Sequence, residues 1–331
     1  MKKFIKGFFR LLLILVLIAV IGAGAGLVYL TVTEFSPENT ETIDVHGTPT
    51  INVSAGDKLN VMTYNISKAS CASAEELNSN IASIVKLNVD NYAHVSFFQE
   101  VDIDSGRTFS IDEASLLSNG IYGRTNAAAR DYVCSFVPAG SPEPVGKIDS
   151  GELSMTRFNV DSAERVALTN GGSWPVGIWS RKPCLLVERS KIEDSNKELV
   201  MINLCFTSSD DGDIRQTQYK ELCEFMQMEF AKGNYVIAGG DFSSLLPSVS
   251  KSKFDHGSGG LYEISTSNLT GGWKYCTDDS TPTYRAPDGS EYVIDGFITS
   301  PNTIVSDTRT IDTEFKYSDH NPVLTEITLV K

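Results

Sequence analysis

The pattern of apolar and polar positions divides the chain into unlike parts. From Leu11 to Thr33 the sequence runs without a charge. At ~1.5 Å rise per residue such a run exceeds the ~30 Å hydrocarbon core of a bilayer, and it predicts a transmembrane helix over residues 11–33. Residues 1–10 carry Lys2, Lys3, Lys6 and Arg10 and no acid. A basic flank of this kind stays cytoplasmic and sends the rest of the chain to the other side. Ala23-Gly24-Ala25 also fits the small-residue cleavage site of a signal peptide. The apolar run continues past it through Leu27, Val28, Tyr29 and Leu30, which favours an uncleaved signal anchor. Residues 34–58 are rich in Thr, Ser, Pro and Gly and show no clear period, which predicts a stalk or linker.

From residue 59 onward the periods become those of a folded domain. Residues 59–66, LNVMTYNI, alternate and predict a strand, and HVSFFQE, 94–100, predicts another. Between them Ser73 and Glu76 form a capping box, and Leu77, Ile81, Ile84 and Val85 share one face of a helix that should end near Asn88. Residues 132–190 hold several short strand-like runs, and ELVMINLCF, 198–206, is strongly strand-like. Residues 213–231 predict a helix with Leu222, Phe225, Met226 and Phe230 as its buried stripe and Gly233 as its stop. YVIAGGD (235–241), YVIDGFI (292–298) and NPVLTEITLV (321–330) complete the strands. Strands followed by helices and then by hairpin-like strands predict a layered domain with two packed sheets.

Composition narrows the function classes. The net charge of the whole chain is −14, and setting aside the four N-terminal basic residues leaves −18 on the rest. So acidic a surface repels a bare polyanion, which disfavours duplex nucleic acid without excluding phosphate chemistry at a site that holds a cation. The six cysteines, 71, 134, 184, 205, 223 and 276, are scattered, with no CxxC spacing and no pairing legible from sequence. Four histidines (46, 94, 256 and 320) are too few and too dispersed for a polyhistidine metal centre.

The candidate chemistry lies at the strand ends. Asn65 ends one strand, Glu100 the next, and Asp241 a third; Asp295 sits inside VIDGF; Asp319 and His320 precede the last strand. Singly, each has an ordinary explanation as a turn cap or a surface charge. Together they are harder to dismiss, because unpaired buried carboxylates cost several kcal/mol and demand a cation or a positive partner. Oxygen ligands describe Mg²⁺ or Mn²⁺ better than zinc.

TYNI, FFQEVD, GGDF, IDGF and YSDHNPV, in this order across residues 59–330, resemble the endonuclease/exonuclease/phosphatase superfamily. GIWSRKPCLLVE and GELSMTRF look like its central strands, and the anchor resembles that of a bacterial membrane-tethered subgroup. The resemblance implies an α+β fold, a four-layer αββα sandwich of two packed mixed sheets flanked by helices, spanning 59–331. It further implies Glu100 and Asp319 as metal ligands and Asn65 in contact with metal or phosphate. Asp241 would orient or deprotonate the attacking water, with His320 as phosphate holder or general acid/base and Asp295 fixing its tautomer.

Two positions depart from the superfamily pattern. Asp241-Phe242-Ser243 stands where Asp-x-Asn is usual, and Cys205 where a histidine would donate to the phosphate. A thiol is a poor donor and supplies no positive charge. The expected function is therefore a divalent-metal-dependent phosphoesterase. It would be tethered to the cell membrane by a single pass, with its domain outside the cytoplasm, and would act on a lipid headgroup or on nucleic acid or nucleotide. The alternative is a binding module on the same fold, its site impaired at Cys205 and Ser243. No protein partner can be inferred.

Overall fold

The computed structural model describes residues 2–138, 144–208, 212–247, 249 and 262–331; His256 lies outside them. The apolar N-terminal segment is a single helix, Lys2–Val32, and its stretch Phe4–Val32 is long and apolar enough to cross a membrane. The helix begins before Leu11, taking in most of the basic flank.

Among the described residues the domain is built on two seven-stranded sheets and a two-stranded hairpin. The first sheet runs Thr40–Ile43, Ser162–Ala167, Cys184–Lys191, Glu198–Cys205, Tyr235–Asp241, Asp295–Thr299, Lys274–Cys276. The second runs Thr303–Thr310, Val323–Leu329, Lys58–Asn65, Val95–Asp102, Gly146–Thr156, Thr125–Val137, His46–Gly47. Between the sheets lie Val61, Val95, Phe97, Met201, Ile237, Phe297 and Val323, all buried. Helix Asp213–Ala231 covers the outer face of the first sheet with Tyr219, Leu222 and Met226. Helix Ala74–Asp90 covers the second with Leu77, Ile81 and Ile84 against Phe98 and Met155. The order helix, sheet, sheet, helix is the αββα sandwich.

Each helix is the crossover between the parallel pair at the heart of its sheet. Lys58–Asn65 pairs in parallel with Val95–Asp102, and Glu198–Cys205 with Tyr235–Asp241. Parallel strands end on the same side, and antiparallel neighbours begin there. That rule gathers Asn65, Glu100, Cys205 and Asp241 at strand ends beside Asp295 at a strand start and His320 before the last strand. Gly239 and Gly240 allow the close approach this needs: a Cβ on Gly239 would lie 2.4 Å from the Phe297 ring, and one on Gly240 would lie 1.9 Å from the Leu204 carbonyl oxygen.

Several sequence expectations are corrected. Glu76 reaches back to the amide of Ala72 rather than Ser73, while Ser73 accepts from the Glu76 amide, and the helix continues to Asp90. Residues 292–298 are not one strand: Glu291–Tyr292 belongs to the hairpin with Tyr284–Arg285, and Asp295 opens Asp295–Thr299. The largest correction concerns residues 34–58, which are no free stalk. Thr40–Ile43 pairs along Ser162–Ala167 on one sheet, and His46–Gly47 pairs with Thr125–Val137 on the other. Bridges from Ile51 to Phe158 and from Val53 to Ile192 follow, with Val53 fully buried. A chain starting at residue 59 therefore exposes an edge of both sheets and removes core contacts. Its melting temperature should fall by about 10 °C or more against a chain starting at residue 35. Equal melting temperatures would show that this segment adds nothing to the fold.

Candidate active site

The site is assembled around Asp241, 4 % exposed at the end of its strand. Its Oδ1 accepts from the Ser243 amide at 2.7 Å, and its Oδ2 accepts from Asn65 Nδ2 at 3.1 Å. Asn65 is held in turn, its Oδ1 accepting from the Ser67 amide at 2.9 Å. The register sets Asp241 directly opposite Asp295 across the antiparallel pair. Asp295 Oδ2 meets His320 Nδ1 at 2.9 Å, and the other ring nitrogen, Nε2, faces Asp241 Oδ2 at 3.8 Å and Asp319 Oδ1 at 3.9 Å. Tyr284 lies over the imidazole, ring centroids 4.7 Å apart.

Electrostatics set these groups apart from ordinary side chains. Burial, then the neighbouring Asp295 charge, pushes the Asp241 carboxyl up to about 6. For His320 burial works against the charged ring, but Asp295, Asp241 and Asp319 outweigh it and raise the imidazole to about 10. At neutral pH the site thus pairs an imidazolium with a carboxylate of raised basicity.

Glu100 completes the cluster by a local irregularity. The ladder to Gly146–Thr156 slips between Phe98 and Val101, and Glu100 takes a left-handed backbone, φ +54°. A bulge of this kind breaks the alternation of faces and re-aims a side chain at a sheet end. Glu100 Oε1 lies 3.5 Å from Asn65 Nδ2 and 3.8 Å from Arg181 Nη1. Arg181 is anchored by Asp131, whose Oδ2 accepts from Nε at 2.6 Å as well as from Nη2. Next to Glu100 is a groove of about 700 Å³ whose lining includes Arg181, Asp131, Val176 and Trp179. Every residue expected at the site from the sequence lies at this one end of the sandwich; the side chain of Asp319, 44 % exposed, is the most open to solvent.

No family model matches the sequence, and neither does any curated protein. Solved structures do match. An endonuclease/exonuclease/phosphatase from Beutenbergia cavernae superposes with a TM-score of 0.59 at 14 % identity, over 82 % of this chain and 72 % of that one. An endonuclease/exonuclease/phosphatase family protein from Bacteroides thetaiotaomicron gives 0.55 at 16 % identity, over 83 % and 96 %. TDP2 from C. elegans gives 0.52 at 12 % identity, over 83 % and 76 %. The chain has the endonuclease/exonuclease/phosphatase fold.

On this endonuclease/exonuclease/phosphatase fold the two departures acquire physical explanations. Cys205 is paired with Asp241 in the parallel register and is buried. Burial holds its thiol well above the usual range, so it is a neutral thiol and no nucleophile. Ser243 adopts φ +46°, and its hydroxyl donates to the Phe206 carbonyl at 3.2 Å, with Asp241 Oδ1 at 3.4 Å. It serves as a brace for Asp241. Asn203, two residues before Cys205, ties the sheets together beneath the site: it donates to the carbonyls of Phe98 and Leu153 and accepts from Gln99 Nε2 at 2.7 Å. None of the six cysteines forms a disulfide among the described residues.

Sequence reasoning missed Arg181, Asp131 and Tyr284. Arg181 places a positive charge next to Glu100 and within electrostatic reach of Cys205. It sits in the loop before Cys184–Lys191, where no periodicity marks it. Asp131 shows up only as a buried acid in a strand of otherwise ordinary alternation.

Proposed function

We propose that the protein is a divalent-cation-dependent phosphoesterase, tethered by Phe4–Val32 with its domain outside the cytoplasm. One observation carries the proposal: Glu100, Asp241, Asp295 and Asp319 converge on a single imidazole and a single guanidinium. With Asp131 on the same guanidinium, five carboxylates face two cations, and such an excess of negative charge calls for a further cation. The donors are oxygens, suiting Mg²⁺ or Mn²⁺. Asp241, Asp295 and His320 also lie within 4.8 Å of one another. Since Nδ1 of His320 is already engaged by Asp295, with Asp241 Oδ2 at 3.8 Å from Nε2, that trio would handle protons, and Glu100, Asn65 and Asp319 would hold the ion. When bound, the ion supplies polarisation of a phosphoryl oxygen and stabilisation of the developing charge.

The chain's own residues do the rest. Asp295 accepts from His320 Nδ1–H and so directs Nε2–H into the site. The imidazolium, held charged by its acidic neighbours, donates to a phosphoryl oxygen or to the leaving group. Asp241, fixed by Asn65 and Ser243 and pushed up to about 6, takes the proton of the attacking water. Arg181 adds a second fixed positive charge against the phosphate.

The Arg181 role is testable without stranding a buried acid. Arg181→Ala combined with Asp131→Asn removes the charge pair together. It should lower kcat/KM on bis-p-nitrophenyl phosphate by about 10²-fold, mostly through KM, with circular dichroism unchanged. A wild-type KM would take Arg181 out of phosphate binding.

The substrate is a phosphodiester or phosphomonoester, and the −18 charge argues against long duplex DNA. A second reading, a binding module on this fold, draws on Cys205 and Ser243, which offer no spare donor. Against it stands the price in stability of keeping Asp241 and Asp295 side by side and buried without chemistry to do. Hydrolysis of bis-p-nitrophenyl phosphate by the full chain with Mg²⁺, and none after EDTA, separates the two. A folded protein inert with every divalent ion would leave the binding module.

A further inference from the structure

Loop 169–181 lines the groove beside Glu100 and also touches the end of the N-terminal helix. Trp174 is 63 % exposed and Val176 65 % exposed, unusual for large apolar side chains standing together. Phe136, 45 % exposed, is tied to the same loop, its carbonyl accepting from Trp179 Nε1 at 3.1 Å. The indole N–H of Trp174 donates to Thr31 Oγ1 at 3.2 Å, one residue before the helix ends at Val32. The next residues of the chain are also fixed to the domain: Glu34 pairs with Lys182 Nζ at 2.7 Å, and the Phe35 ring lies under the Arg165 guanidinium, 5.8 Å from its centroid. The domain is therefore not free to swing on a tether. It is seated on the helix exit with this apolar loop at the level where the helix leaves the hydrocarbon.

We propose that Trp174, Val176 and Phe136 dock into the bilayer surface and that the groove takes its substrate, a phosphate-bearing membrane lipid, from that surface. The inference rests on the phosphoesterase reading and on Phe4–Val32 crossing the membrane. An exposed indole beside the end of an apolar span belongs at the lipid–water boundary, its ring in the interface and its N–H satisfied. The groove has lining to match: Val176 and Trp179 share it with Arg181 and Glu100. A lipid entering from the membrane side places its glycerol and acyl portion against the apolar residues and its phosphate against the guanidinium. The acidic remainder of the surface does not oppose this, because the contact is apolar and local.

The test uses the full chain reconstituted into vesicles of phosphatidylcholine and phosphatidylglycerol. With lipids brominated near the headgroup end of the acyl chains, tryptophan emission should be quenched, and Trp174→Phe should lose a large share of that quenching. Quenching equal in the two proteins overturns the docking. In the same vesicles, Trp174→Ser should lower the ratio of vesicle-lipid hydrolysis to bis-p-nitrophenyl phosphate hydrolysis by about ten-fold. An unchanged ratio, or hydrolysis of the soluble diester with none of the lipid, overturns the lipid assignment and leaves the phosphoesterase reading standing. Trp174 quenching with neither substrate hydrolysed keeps the docking and removes the phosphoesterase reading together with its substrate.

Discussion

Asp241→Asn is expected to lower phosphodiester hydrolysis by about 10³-fold or more, with the fold retained. The amide keeps the shape and still accepts from the Ser243 amide, but it takes no proton from water. Asn65 Nδ2 then faces a second donor, a local conflict worth about 1 kcal/mol. Against this stands the relief of a costly charge. The Asp241 carboxyl is raised from 3.8 to about 6 on folding, by burial and by Asp295. A raised folded-state value means that the group's contribution to stability is fully present below its unfolded value and is lost as the pH rises through about 6. Asparagine does not titrate. In metal-free protein the melting temperature of the variant should therefore gain on that of the parent as the pH is raised across this window. Retained turnover would remove Asp241 from the mechanism, and a collapse of the fold would show it to be structural.

Glu188→Met should stabilise the protein by about 3 kcal/mol at pH 7, an increase in melting temperature of about 6 °C. Glu188 is buried in strand Cys184–Lys191, paired with Met201 and Ala163, and neither carboxylate oxygen has a hydrogen-bond partner among the described residues. Val187 faces the outer helix, so strand alternation turns Glu188 inward between the sheets, on the side of Leu186. Burial alone pushes its carboxyl from 4.5 up to about 8. With the folded value raised, its contribution to stability is complete below 4.5 and is lost as the pH rises through about 8. Methionine fills a similar volume without a polar atom to desolvate. Thermal melts of the two proteins from acid to neutral pH should converge at the acid end and separate as the pH rises. Parallel curves would show that Glu188 is ionised and paired in the native state.

The site was legible in the sequence to the extent that backbone pattern exposed it. Asn65 and Asp241 stand at the ends of strands that alternate cleanly, and the glycine pair before Asp241 announces a place where another chain segment approaches. Asp295 betrayed itself as an acid in an apolar run. Arg181 gave no such sign, because its place is fixed by Asp131, 50 residues earlier, and by Glu100. Residues 40–47 were misread as a tether because edge strands of four and two residues are too short to show a period. Their pairing is decided by open sheet edges formed far away in the chain. The left-handed turn at Glu100 was equally invisible, since glutamate has no preference for it and the bulge is imposed by the neighbouring strand.

The most direct measurement is a Mg²⁺ titration of bis-p-nitrophenyl phosphate hydrolysis by the EDTA-stripped full chain, run beside Glu100→Gln. Hydrolysis should be absent without the ion, return with Mg²⁺ or Mn²⁺ in the parent, and require far more ion in the variant. Undiminished hydrolysis in EDTA, or a Glu100→Gln titration superimposed on that of the parent, would contradict a cation held at this end of the sandwich.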